Sequence, residues 1–129
     1  MKIEHLAIWV DDLEAMKAFY TKYFNCTSGE KYSNQKKQYT SYFLSFGEGT
    51  TRLELMHKPN IIPVEGQRGN SKGLAHFSIS VGTKGNVNEL TELLRNDNYI
   101  VFGEPRTTGD GYYESVVLDP EGNYLEITL

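Results

Sequence analysis

Two histidines and two glutamates recur at matching places in the two halves of the chain. Glu54 follows His5 by 49 positions, and Glu126 follows His76 by 50. Each carboxylate is flanked by leucine or isoleucine inside a short apolar stretch, where a charge is unfavourable unless it is solvated, paired or bound to a metal ion. The repeat therefore predicts that the four side chains share one polar site. The alternative is that all four lie on exposed strand faces and that the repeat is only a relic of duplication.

The donor types indicate which metal ions the predicted site would prefer. Two imidazoles and two carboxylates without a thiolate suit Ni²⁺, Zn²⁺, Co²⁺, Mn²⁺ or Fe²⁺ better than Ca²⁺ or a soft ion. Four protein ligands leave two positions of an octahedral ion open to water or substrate, as a catalytic metal requires. A closed, four-coordinate zinc ion would instead be structural.

The alternation of apolar and polar residues places each of the four side chains on the polar face of its strand. Residues 4–10 and 75–81 alternate apolar and polar residues, with the histidine on the polar face. The same period of two puts Glu54 and Glu126 opposite their apolar neighbours. Five further residues share the parity of the ligands and are expected to line the cavity or to pack at the sheet edge: Trp9, Arg52, Met56, Ser78 and Tyr124.

Each half continues from its first strand to a helix and then to more strands. Asp11 or Asp12 can cap the first helix, and Asn86 with Glu89 can cap the second. The apolar stripes are predicted to be Leu13, Met16, Phe19, Tyr20, Tyr23 and Phe24 in the first helix and Val87, Leu90, Leu93 and Leu94 in the second. Strands are expected over 27–32, 39–46, 51–56, 99–104, 112–118 and 123–129.

We therefore predict one α+β domain over residues 1–129, built from two β-α-β-β-β modules that form a curved mixed sheet around a metal cleft. Module 1 covers residues 1–58, module 2 covers 73–129, and the linker 59–72 is long enough to act as a lid.

Composition excludes two classes of partner. The net charge is -4 with scattered basic residues, which gives no electrostatic reason to bind nucleic acid, and no apolar run is long enough to span a membrane. The N-terminus lacks the pattern of a secretory signal and the one cysteine cannot form an internal disulfide, so a cytoplasmic protein is expected.

The sequence resembles the vicinal oxygen chelate superfamily (the glyoxalase/bleomycin resistance/dioxygenase family), and within it the glyoxalase I group. The resemblance runs end to end, and its matching stretches are 4–10, 18–24, 53–55, 74–81 and, most specifically, Leu118-Asp-Pro-Glu-Gly-Asn-Tyr-Leu-Glu-Ile127. Relatives with other chemistry (thiol transferases, dioxygenases and epimerases) typically lack the glutamate at the place of Glu54.

The resemblance implies a homodimer with a divalent metal ion held by His5, Glu54, His76 and Glu126. It also implies a lyase that converts a thiol–methylglyoxal hemithioacetal to a thioester through an enediolate, with Glu126 as the first choice of base and Glu54 as its partner. The substrate would be a small molecule, contacted by Trp9, Arg52, Met56 and Tyr124. Trp9 and Lys58 stand where glutathione-dependent members carry an arginine and an asparagine, so a different thiol carrier or another substrate is expected. The alternatives are a non-catalytic protein of the same fold that binds a small molecule or an antibiotic, and another metal-dependent member such as a thiol transferase, a dioxygenase or an epimerase.

Overall fold

The computed structural model describes all 129 residues and divides into two compact units, Met1–Pro63 and Val64–Leu129. Each unit contains one long helix and one mixed sheet. The predicted α+β class and the paired β-α-β-β-β modules are therefore confirmed. Neither helix is long and apolar enough to cross a membrane.

The first unit has a five-stranded sheet. Its elements are β1 (His5–Trp9), α1 (Leu13–Tyr23), β2 (Cys26–Ser28), β3 (Tyr32–Asn34), β4 (Tyr39–Phe46) and β5 (Arg52–His57). The strand order is β1-β5-β4-β2, with β3 also paired to β4. Strand β1 runs parallel to β5, and the other pairs are antiparallel.

Helix α1 begins at the predicted cap and covers one face of this sheet. The Asp12 side chain accepts a hydrogen bond from the Ala15 amide at 2.9 Å, which satisfies one of the free N–H groups of the first turn. The predicted apolar stripe is buried, as are Ile8, Leu44, Leu53 and Leu55 of the sheet, and the helix contacts β4 and β5. Because strand side chains alternate, the neighbours of these core residues point to the opposite face.

The second unit has a four-stranded sheet. Its elements are β6 (His76–Ser80), α2 (Lys84–Asn96), β7 (Val101–Thr107), β8 (Tyr113–Leu118) and β9 (Tyr124–Thr128). The order is β6-β9-β8-β7, and β6 runs parallel to β9 as β1 does to β5.

Helix α2 differs from its prediction in two details. Its cap is Thr83, whose hydroxyl accepts from the Asn86 amide at 3.1 Å; the Asn86 side chain instead donates back to the Val81 carbonyl at 2.7 Å. Leu93 is not buried as predicted but 47% exposed. Thr91 takes a buried position, and its hydroxyl lies 2.6 Å from that of Ser115 on β8.

The early strands of the first unit also differ from prediction. The segment expected to be a strand over 27–32 forms two short strands, β2 and β3, because Gly29 to Lys31 lie outside the ladder between them. Cys26 at the start of β2 is buried and is a free thiol. Burial raises the pKa of this thiol to about 11.

Residues 67–70 of the predicted linker form a strap across the start of β9. The strap contains a short 3₁₀ turn, Arg68–Asn70, and an Arg68 guanidinium nitrogen lies 2.9 Å from the Asn123 side-chain oxygen. The Tyr124 hydroxyl donates to the Gln67 side chain at 3.1 Å. Gly69 sits against the Tyr124 ring, and a Cβ at this position would come within 1.4 Å of a ring carbon. Side-chain contacts therefore hold the strap in place, and it can lie this close to the ring only because residue 69 is a glycine.

Candidate functional site

His5 and Glu54 lie together on the helix-free face of the first sheet. The parallel pairing places Glu54 opposite Ala7, one position from Ile8 of the core and two from His5. The flanking Leu53 and Leu55 are buried. His5 Nε2 is 3.7 Å from Glu54 Oε2. The prediction that strand alternation would bring these two residues to one face is therefore correct for the first unit.

The second oxygen of Glu54 is bound by a residue that sequence reasoning missed. The Tyr39 hydroxyl donates to Glu54 Oε1 at 2.8 Å. Burial raises the pKa of Tyr39, and the bond to Glu54 acts in the same direction, although Ser41 opposes it. The phenol therefore remains a protonated donor at neutral pH. Its position depends on the register of β4 against β5, which the sequence alone does not give.

His76 and Glu126 have the corresponding places on the second sheet. His76 Nε2 is 3.2 Å from Glu126 Oε1, and the Ser78 hydroxyl donates a hydrogen bond to Glu126 Oε2. Leu125 and Ile127 on either side are fully buried. The tight turn before β9 fixes this strand, since the Asp119 carboxylate accepts hydrogen bonds from the backbone of Glu121 and Asn123.

The two carboxylates have the same kind of surroundings but obtain them differently. In both units one oxygen faces an imidazole Nε2 and the other accepts from a hydroxyl. The hydroxyl comes from β4 in the first unit and from β6 in the second, where Ser78 occupies the position that Ala7 has on β1. The two units therefore give their carboxylates the same kinds of partner, although the hydroxyl groups come from different residue types on different strands.

A third carboxylate, Glu114, lies on the same face of the second sheet. In the ladder Glu114 is opposite Thr128, two positions along β9 from Glu126, and its side chain is mostly buried. Burial raises the pKa of Glu114, and the charge of Glu126 adds to the effect, while Arg106 at 3.5 Å opposes it. The sequence could have indicated Glu114, because the alternation of its predicted strand puts it on the polar face, as the alternation of the last strand does for Glu126.

The predicted substrate-lining residues differ in their availability. Trp9 and Met56 are opposite each other in the parallel pair and are part-exposed. Arg52 is paired with Glu4, and its guanidinium lies 4.1 Å from the centre of the Phe43 ring. Tyr124 is only 8% exposed, because the strap covers it. Of these four residues, the three in the first unit are therefore part-exposed, and the one in the second unit is buried.

Each His–Glu pair supplies two donors of the kind that a borderline divalent ion accepts. No group of three or more histidine, cysteine, aspartate or glutamate side chains is placed to hold a metal ion. The pairs nevertheless fit as half-sites, because in each the imidazole Nε2 and a carboxylate oxygen share one face of a sheet. The hydroxyl on the other carboxylate oxygen gives each pair the outer partner that metal-binding carboxylates usually have.

Comparison with known proteins identifies the family. The model of the Glyoxalase/Bleomycin resistance protein/Dioxygenase superfamily matches residues 2–127. The chain belongs to this superfamily. The resemblance drawn from the sequence is therefore confirmed, while no curated protein matches the chain.

Solved structures of the glyoxalase superfamily share the fold at low identity. The trypanothione-dependent glyoxalase I of Leishmania major is 25% identical with a TM-score of 0.74, over 99% of this chain and 86% of that one. The lactoylglutathione lyase of Agrobacterium tumefaciens is 25% identical with a TM-score of 0.69, over 98% and 92%. Glyoxalase I from Zea mays is 23% identical with a TM-score of 0.77, and the chain spans only 44% of that protein while 98% of the chain is covered.

Proposed function

We propose that this member of the superfamily is a metal-dependent lyase that converts a thiol–methylglyoxal hemithioacetal to a thioester. The observation that carries the proposal is the pair of matched His–Glu contacts, at 3.7 Å in the first unit and 3.2 Å in the second. The likeness to the Leishmania and Agrobacterium proteins supports it.

One divalent ion would be held by His5, Glu54, His76 and Glu126, because each pair alone offers only two protein donors. When bound, the ion stabilises negative charge that develops on the substrate oxygens. The site would be completed by a small-molecule substrate and, as for many members of the fold, by a homodimer.

The reaction needs one group that takes a proton from the thiol-bearing carbon and returns it to the neighbouring carbon. The hemithioacetal and the thioester have the same atoms and electrons, so no oxidant or further reactant is required. We assign this transfer to Glu126. Its partner is a serine hydroxyl, which rotates about a single bond and can release the carboxylate oxygen. General base catalysis of this kind contributes about 10²–10⁴-fold.

Glu54 is assigned the complementary role of a fixed carboxylate. Its Oε1 is held by the Tyr39 phenol, and the Tyr39 ring meets the Trp9 ring edge to face with a centroid distance of 6.2 Å. A ring packed in this way cannot turn aside as a serine hydroxyl can, so Glu54 keeps one orientation. This difference between the units favours Glu126 over Glu54 as the mobile base.

The metal-binding part of the proposal is tested first by stability. An ion that binds only the folded protein, at about 100 times its Kd, adds about 2.7 kcal/mol, so a chelator should lower the melting temperature by several degrees. His5→Ala and His76→Ala should remove both the bound metal and the effect of the chelator. The matched control is His57→Ala, since the His57 Nδ1 lies 2.9 Å from the Val10 carbonyl oxygen and does not belong to either pair.

The catalytic part is tested by turnover of hemithioacetals formed from methylglyoxal and a panel of thiols. Glu126→Gln should keep most of its metal, because an amide oxygen still binds, yet lose at least about 10²-fold in turnover because it accepts no proton. Normal turnover by Glu126→Gln, together with retained metal in both histidine variants, would show that the proposed site is wrong. Binding of a small molecule without metal or turnover would favour the non-catalytic alternative.

A further inference from the structure

Aromatic side chains form a continuous surface beside Glu54, which we call the Trp9 platform. It consists of Trp9, Tyr39, Tyr32 and Lys58. The Trp9 and Tyr39 rings meet edge to face at 6.2 Å, and Tyr39 meets Tyr32 in the same way at 6.0 Å. Tyr32 is 55% exposed. Because Tyr39 also binds Glu54, a molecule on this surface would lie next to the first His–Glu pair.

Lys58 gives the platform its charge. Its Nζ lies 4.9 Å from the centre of the Trp9 ring, and no carboxylate lies within 4.0 Å of it. A cation over an aromatic ring that is open to water contributes about 0.5–1 kcal/mol, and Trp9 is part-exposed. The ammonium group is therefore held weakly over a ring and has no anionic partner in the chain.

The charge that a ligand would need follows from this contact. A flat ring that stacks on Trp9 must move Lys58 aside. A neutral ligand would give the ammonium group nothing in return, and a cationic ligand would repel it. An anionic ligand would keep the ammonium group as its partner while its ring takes the Trp9 face, where stacking adds about 0.5–1.5 kcal/mol.

We infer that the Trp9 platform binds a flat or aromatic group that carries one negative charge, with the ring on Trp9 and the anion on Lys58. The identification of this group as part of the thiol carrier rests on the proposed lyase function. The binding itself does not, because neither metal nor turnover is needed for it.

The test uses the fact that Trp9 is the only tryptophan, so the protein has a single indole N–H signal in an amide correlation spectrum. The probes are 2-naphthoate, the neutral 2-naphthylmethanol, the cationic 2-naphthylmethylammonium and the non-aromatic cyclohexanecarboxylate, added to the full chain in the presence of a chelator. Naphthoate should shift the indole signal to saturation and bind more tightly than the other three. Equal affinity for the alcohol, the ammonium compound or cyclohexanecarboxylate, or no shift with naphthoate, would overturn the inference.

Two lysine variants separate the role of Lys58 from a general effect of charge. Lys58→Gln should weaken naphthoate binding about three-fold or more, as expected for loss of one exposed charge pair. The matched control is Lys84→Gln, since Lys84 lies 4.8 Å from the centre of the Tyr113 ring in the second unit. It should leave the affinity unchanged. Equal affinities of wild type and Lys58→Gln would refute the assignment, and failure of turnover with intact naphthoate binding would refute only the lyase proposal.

Discussion

Removal of one phenolic oxygen should weaken metal binding without touching a metal ligand. In Tyr39→Phe the ring stays against Trp9, but the 2.8 Å hydrogen bond to Glu54 Oε1 is lost. A hydrogen bond to a charged group contributes about 1.5–3 kcal/mol. The Glu54 side chain is 12% exposed, so water can replace part of this interaction and the lower value applies. We therefore expect the Kd for the metal to rise about tenfold, within the range usual for outer partners of metal ligands.

The assay is a competition titration of the protein against a chromophoric chelator with Zn²⁺ or Co²⁺. Tyr112→Phe is the control, since Tyr112 is 61% exposed and belongs to the second unit. A double-mutant cycle with Glu54→Gln should show that the two effects are coupled. The reasoning is wrong if Tyr39→Phe binds metal as tightly as wild type. It is also wrong if Tyr39→Phe lowers the metal affinity by the same factor when Glu54 is already replaced by glutamine.

Three further results are expected. Hydrogen bonds from Lys17 and Lys31, with a smaller contribution from a tyrosine, lower the pKa of Glu14 to about 2, so its contribution to stability should be present above pH 4.5 and disappear as the pH falls to about 2. Glu14→Gln should therefore lower the melting temperature slightly near pH 7 and not at pH 2, and an equal effect at both would contradict this origin. Gly69→Ala should push the strap off Tyr124, seen as faster proteolysis near residue 69 with unchanged cleavage elsewhere; unaltered proteolysis would show that the ring yields instead. Sedimentation should give a homodimer rather than a 14.7 kDa monomer. A variant that lacks the first His–Glu pair can also be mixed with one that lacks the second. The mixture should recover about a quarter of the metal sites only if each site takes its two pairs from different chains.

Most of the fold could be predicted because strands and helices follow local rules. The alternation around His5 and His76 and the stripe of α1 each contain enough apolar residues to fix their faces. The cap of α2 could not be fixed, because Thr83 and Asn86 are both capable N-caps and only the structure shows Asn86 donating to Val81. The burial of Thr91 depends on Ser115 across the core, a tertiary contact that period alone does not contain.

Strand parity predicts the candidate site only in part. Parity placed Glu54 and Glu126 correctly relative to their apolar neighbours, but it did not predict that Tyr39 would reach Glu54 across the ladder. In the sequence alone, Trp9 and Lys58 are two separate departures from the glutathione-dependent relatives. In the structure they contact each other, which makes them one feature.

The buried thiol of Cys26 has a consequence for a protein that would work among reactive carbonyl compounds. With a pKa of about 11, only about one molecule in 10⁴ carries the thiolate at pH 7, and the thiolate is the form that attacks aldehydes and oxidants. The chain's one cysteine is therefore not an easily blocked thiol. The same burial makes Cys26 a reporter of local opening. Its alkylation by a small maleimide should proceed in proportion to the population in which β2 has left β4, and a ligand that stabilises the first unit should slow the reaction.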